Sequence, residues 1–143
     1  MQLKSFQPSH INVLKGWFAN SHPGNGFITF YAQPENWLKL VDNKNRFALA
    51  VTQEDKMIGF ADVELEGKDR ASIAFGLDPH ERGKGLGRQL VSLLEDFARE
   101  HGTKTLVAGV ENTNTACTQL LEASGFSATH NDGELTSFVK DIG

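Results

Sequence analysis

The 143-residue chain has a single cysteine, Cys117, which excludes an intrachain disulfide and any metal cluster built on several thiolates. A reducing compartment is the simplest context. No run approaches the roughly 18 apolar residues of a membrane span, and Met1-Gln2-Leu3-Lys4-Ser5-Phe6 lacks the apolar core of a signal peptide. A cytoplasmic chain with no membrane partner is expected. Basic residues are also few, 14 Lys and Arg against 18 Asp and Glu, for a net charge of -4. That balance lacks the overall basic surface that phosphate neutralisation requires, so no nucleic-acid partner is expected. The acidic excess suits a cationic partner, as it also suits ordinary solubility. The five histidines, His10, His22, His80, His101 and His130, show no metal-ligand spacing, and no metal is expected.

With 39% hydrophobic and 22% charged residues, the composition is that of an ordinary globular chain, and the length suits one domain over residues 1–143. Leu3 to Phe6 reads as a strand stopped by Pro8. Ser9 then caps a helix with Ile11, Leu14, Trp17 and Phe18 on its apolar side. The turn-rich segment Asn20 to Gly26 follows, and Pro34 opens a second helix carrying Trp37, Leu38 and Val41. Arg46 to Thr52, Lys56 to Leu65 and Ala71 to Leu77 read as an antiparallel meander broken at Glu54-Asp55 and Glu66 to Asp69. Leu86, Leu90, Leu93, Leu94 and Phe97 lie at helical spacing, with Gly102 as the stop. Thr105 to Val110 is a strand, and Asn114 to Ser124 is a helix ended by Gly125. Phe126 to Thr129 and Leu135 to Val139 form a hairpin about Asn131-Asp132-Gly133. The expected class is α/β, with a mixed sheet and the order β-α-α-β-β-β-α-β-α-β-β.

Arg82-Gly83-Lys84-Gly85-Leu86-Gly87-Arg88 lies between a strand and the start of the long helix. The first turn of a helix leaves N–H groups unpaired at the positive end of the macrodipole, and glycines let a pyrophosphate approach that backbone. Arg82, Lys84 and Arg88 can add charge-assisted bonds to phosphate oxygens. A Walker A loop is excluded, because Lys84 is followed by Gly85 rather than by Ser or Thr. A dinucleotide fingerprint starting at Gly83 would need a third glycine where Arg88 stands, and the strands upstream read as antiparallel.

The string Arg82 to Gly87 is similar to the R-x-x-G-x-G signature of the GNAT superfamily of N-acetyltransferases. Asn114, Cys117 and Gly125-Phe126 resemble that family's N-x-x-A-x-x-L-Y-x-x-x-G-F segment. The resemblance implies a GNAT-like, largely antiparallel sheet flanked by helices, in which the fourth and fifth strands splay apart around the donor. Acetyl-CoA would be the acyl-donor co-substrate and a primary amine the acceptor, with direct transfer between them in a monomer or homodimer. By the same resemblance Phe75, Gly76 and Leu77 line the open strand edge. Arg82, Gly83, Lys84, Gly85, Leu86, Gly87 and Arg88 hold the pyrophosphate, and Asn114 and Cys117 contact the pantetheine or its cysteamine end.

One position departs from the pattern: Leu121 stands where the family often has the tyrosine that protonates the departing thiolate. A catalytically weak module that binds acyl-CoA is therefore the competing function. Tyr31, the chain's only tyrosine, falls in the loop that often shapes the acceptor pocket, and it is either a catalytic group or a packing residue. An alkylamine with a pKa of ~10.4 lies roughly 4.6 kcal/mol from its free base at pH 7, so transfer needs a proton acceptor. Asp62 and Glu64 share one strand face, preceded at the same parity by Ile58 and Phe60. They are the candidate bases, or else residues of a solvated face. Glu111, at a strand end beside Asn114, is a further candidate with a capping or loop role as the alternative. Cys117 is either an acyl carrier or a compact packing group.

Overall fold

The computed structural model describes residues 1–19, 31, 33–41 and 44–143. Phe18 of the expected first helix, and most of the loop that follows it, lie outside the described side chains. The elements are β1 (Gln2–Ser5), α1 (Pro8–Ala19), α2 (Pro34–Leu40), β2 (Arg46–Gln53), β3 (Lys56–Glu66) and β4 (Arg70–Leu77). After the short 3-10 turn Pro79–Glu81 come α3 (Leu86–Glu100), β5 (Thr105–Glu111), α4 (Thr115–Ala123), β6 (Ser127–Asn131) and β7 (Leu135–Asp141). Among the described residues the expected order of helices and strands holds.

Two local expectations need correction. Helix α1 begins at Pro8 rather than being capped by Ser9, because the fixed φ of proline is already suited to a first helical position. The Gln7 amide donates to His10 Nδ1 at 2.9 Å, and the His10 amide donates to the Gln7 carbonyl at 2.9 Å. The second correction is a bulge in β3. Val51 pairs with Gly59 but Thr52 pairs with Met57, so Ile58 is the extra residue. Ile58 joins the core beneath α3, whereas Phe60 joins the cluster beneath α1 and α2. Phe60 therefore shares the face of Asp62 and Glu64, and Ile58 does not.

Among the described residues, one seven-stranded sheet runs β1-β2-β3-β4-β5-β7-β6. All its pairs are antiparallel except β4 with β5. On one face Leu49, Val63, Ile73, Leu106 and Phe138 meet Leu90, Val91 and Leu94 of α3 and Leu121 of α4. On the other, Ala48, Ala50 and Phe60 meet Leu14, Trp37 and Tyr31. Burial of both faces explains why Ala48 to Thr52 of β2 is inaccessible without a break.

The parallel pair places the site. Only Arg70, Ser72 and the Ala71 between them pair with β5, opposite Thr105, Val107 and Leu106. Beyond Ser72 the two strands part, while β5 stays paired with β7 along its whole length. The result is a fork in the sheet, open toward the end where β4 leads into α3.

Candidate active site at the strand fork

The turn into α3 is shaped by its glycines. Gly83 and Gly85 have φ of 79° and 77°, a left-handed conformation that a side chain disfavours. Gly85 is the N-cap of α3, with no side-chain cap and no acidic residue in the first turn. The first amides of α3 thus keep their donors for an anion. Gly87 serves packing: a Cβ there would lie 2.9 Å from Leu120 Cδ2, so its absence lets α3 approach α4 closely.

Beside this turn is a cavity of about 540 Å³, lined by Phe75, Gly76 and Leu77 from β4, by Arg82, Gly83, Gly85, Leu86 and Gly87 from the turn, and by Thr113 to Cys117 and Leu120 around α4. Of the expected donor-site residues, Lys84 and Arg88 are outside this lining. Lys84 Nζ is 3.0 Å from Glu81 Oε2, and Lys56 approaches the same carboxylate at 3.3 Å, the two together holding the Glu81 carboxyl below its ordinary pKa. Arg88 donates to the Ala123 carbonyl at 3.3 Å, at the end of α4. Arg82 is the cation in the lining; burial lowers its pKa and the Asp78 charge opposes that.

Asn114 caps α4, its Oδ1 accepting from the Cys117 amide at 3.1 Å. This accounts locally for the spacing of Asn114 and Cys117, since an N-cap side chain reaches the third residue on. Burial pushes the Cys117 thiol up to about 11, so at neutral pH it is a protonated packing group rather than an activated nucleophile.

A second cavity, of about 130 Å³, continues into the fork. Ile73, Ala74 and Phe75 line its β4 bank and Ala108 to Glu111 its β5 bank, with Asn114, Cys117, Leu121 and Leu135. Leu121 is 0% exposed and supplies no proton donor where the family pattern often has a tyrosine. Sequence reasoning missed Thr113, Thr115, Ala116 and the small apolar residues of both banks; their only signal is their place at the fork.

The expected proton acceptors have different surroundings. Asp62 is 5% exposed. Arg46 donates to both its oxygens, Nε to Oδ1 at 3.0 Å and a terminal nitrogen to Oδ2 at 2.6 Å, and the Tyr31 hydroxyl donates to Oδ2 at 2.8 Å. Burial and the Asp62 charge drive the Tyr31 phenol far above its ordinary pKa. Its ring packs on Trp37 and Phe60 at centroid distances of 5.0 and 4.7 Å. Asp62 and Tyr31 are thus brought together, in a buried hydrogen-bonded group with Arg46. Glu64 is half-buried, sits opposite Arg46 and Ser72 in register, and makes no hydrogen bond among the described residues. Among those residues no group of three or more His, Cys, Asp or Glu side chains could hold a metal.

Residues 11–126 match the family model described as "Acetyltransferase (GNAT) family". Among curated proteins, the chain is 47% identical over 51 residues to the L-methionine sulfoximine/L-methionine sulfone acetyltransferase of Salmonella typhimurium, covering 36% of this chain and 30% of that protein. It is 32% identical over 79 residues to the [ribosomal protein bS18]-alanine N-acetyltransferase of the same organism, covering 55% of this chain and 53% of that one. The matches thus span well under two thirds of these relatives' lengths. The Campylobacter jejuni N-acetyltransferase PseH, solved in complex with acetyl coenzyme A, superposes with a TM-score of 0.78 at 19% identity, over 98% of this chain and 97% of that one. That likeness extends to the whole sheet and its flanking helices, and the family model takes in the glycine turn, both banks of the fork and α4. By this match, the chain belongs to the GNAT acetyltransferase family.

Proposed function

We propose that the chain binds acetyl-CoA along the cavity beside the glycine turn and transfers the acetyl group directly to a primary amine entering the fork from the α1 and α2 face. The observation that carries this reading is the continuity of the uncapped α3 turn, the open edge of β4 and the fork cavity. A pyrophosphate would lie on the first amides of α3 and near Arg82, with Lys84 and Arg88 at its rim. The pantetheine would run along Phe75 to Leu77, which puts the thioester near Cys117 and Leu121.

Direct transfer is supported by the protonated state of Cys117, which disfavours an acyl-enzyme. Of the carboxylates predicted to take the amine proton, Asp62 has both oxygens engaged and Glu64 has none engaged by a hydrogen bond among the described residues. The named acceptors of the relatives are an amino-acid analogue and a protein alanine. The acceptor panel therefore starts with α-amino acids and peptide N-termini and adds alkylamines, polyamines and aminoglycosides. Thiol release from acetyl-CoA in the presence of one of these amines, and not without it, is the expected result. Binding of CoA without turnover would favour the competing reading, an acyl-CoA-binding module, for which the buried Leu121 is the supporting observation.

A further inference from the structure

Three carboxylates lie on the α1 and α2 face of the sheet near the fork, and their positions differ by strand register. Asp62 stands opposite Ala74 on the β4 bank, but Arg46 and Tyr31 occupy it. Glu64 stands opposite Ser72, which is still paired with Val107. It therefore belongs to the closed part of the sheet, behind the fork. Glu111 ends β5 on the opposite bank, paired with Leu135 of β7, and it lines the fork cavity.

That cavity runs through the sheet. Alternation along β5 puts Glu111 and Gly109 on the α1 and α2 face and Ala108 and Val110 on the face of α4, and all four line it together with Cys117 and Leu121. A group at Glu111 and a group beside Leu121 thus share one small space from opposite sides. The Glu111 carboxylate has no hydrogen bond or ion pair among the described residues, while its main-chain carbonyl accepts from the Asn114 amide at 2.9 Å and anchors the strand end. The lining from β4 is Ile73, Ala74 and Phe75 and that from β7 is Leu135, none of them titratable; α4 contributes Cys117 as the other titratable group. Glu134, next along the β7 hairpin, is exposed.

We infer that Glu111 accepts the proton of the acceptor ammonium at the fork, an assignment that rests on the acetyl transfer proposed above. The ammonium gives one proton to the Glu111 carboxylate, and the freed nitrogen lone pair attacks the acetyl carbon. The C–N bond forms, the C–S bond breaks, and sulfur leaves with the bonding pair as the CoA thiolate. The second nitrogen proton is lost to that thiolate or to water as the amide forms, and Glu111 returns its own proton to solvent.

The test uses Glu111→Gln with the best amine from the panel. Turnover at neutral pH should fall on the order of a hundredfold, within the usual range for a general base. The KM for acetyl-CoA and the thermal shift it induces should stay at wild-type values. The deficit should narrow as the pH rises toward the pKa of the amine, and Glu111→Asp should recover part of the rate. Wild-type turnover in Glu111→Gln, a loss that does not change with pH, or this same signature in Glu64→Gln instead would overturn the assignment while leaving acetyl transfer intact. A wild-type chain that binds acetyl-CoA but acylates none of the amines would overturn both.

Discussion

Arg46 holds Asp62 through both carboxylate oxygens, at 3.0 and 2.6 Å, across the β2–β3 pair. The side chains are 17% and 6% exposed, so the pair is largely removed from water. Removing one partner leaves the other charge desolvated and alone. Asp62→Ala should therefore lower unfolding stability by about 3–5 kcal/mol, measured by denaturant titration. Replacing both residues with apolar ones of similar volume should cost less than that single change, because no charge is then stranded. Equal stability of Asp62→Ala and wild type would mean that the pair is solvated in solution.

The burial of Cys117 makes a pH prediction whose sign is fixed. Its thiol is raised from an ordinary 9.0 to about 11 in the folded chain, so folding favours the neutral form. The corresponding stability is fully present below pH 9 and is lost as the pH rises through 9 toward 11. Alkylation of the native chain should accelerate with a midpoint near 11. Because Cys117 lines the larger cavity, CoA should slow the reaction at every pH. A midpoint at the ordinary thiol value would show an accessible sulfur.

Gly85 and Gly87 should fail in different ways. Gly85 has φ of 77° and nothing within 4 Å of where a Cβ would lie, so Gly85→Val strains the backbone although its Cβ meets no neighbour. Acetyl-CoA bound only by the native state stabilises it by about 2.7 kcal/mol at a hundredfold excess over Kd. Gly85→Val should erase that rise in Tm while the free protein still unfolds cooperatively. Gly87→Ala presses on Leu120, a flexible side chain in the cavity lining. It should cost about 1–3 kcal/mol as overpacking and weaken CoA binding less than Gly85→Val does.

Leu121→Tyr puts a phenol into the wall of the 130 Å³ fork cavity. The added volume should cost about 1–3 kcal/mol, and turnover should rise because the departing thiolate gains a proton donor. A folded, CoA-binding variant with no gain would place the limiting step before thiolate departure.

How much of this was legible in the sequence follows the range of the interaction. The glycine turn and the stops at Gly102 and Gly125 were readable because each is set within a few residues: Gly102 has φ of 84° and its amide bonds to the Arg99 carbonyl. The order of elements followed for the same reason, since hydrophobic period and turn chemistry are local. Lys84 and Arg88 carry the same charge as Arg82 in the same seven residues, yet they bond to Glu81 and to the end of α4. Spacing along the chain does not tell which way a long side chain will turn.

The chain alone determined the fold family and the glycine turn into α3, because a short string of glycines constrains its own backbone wherever it is placed. Only the tertiary structure decided which carboxylate faces the fork. Asp62 and Glu64 look alike in sequence, and they differ because Arg46, 16 residues before Asp62, and Tyr31, 31 residues before it, close on one of them. Glu111 lines the fork cavity because β5 leaves β4 after three paired residues and stays with β7. These are partnerships between distant segments, set by how the two faces of the sheet pack, and no periodicity in the sequence encodes them.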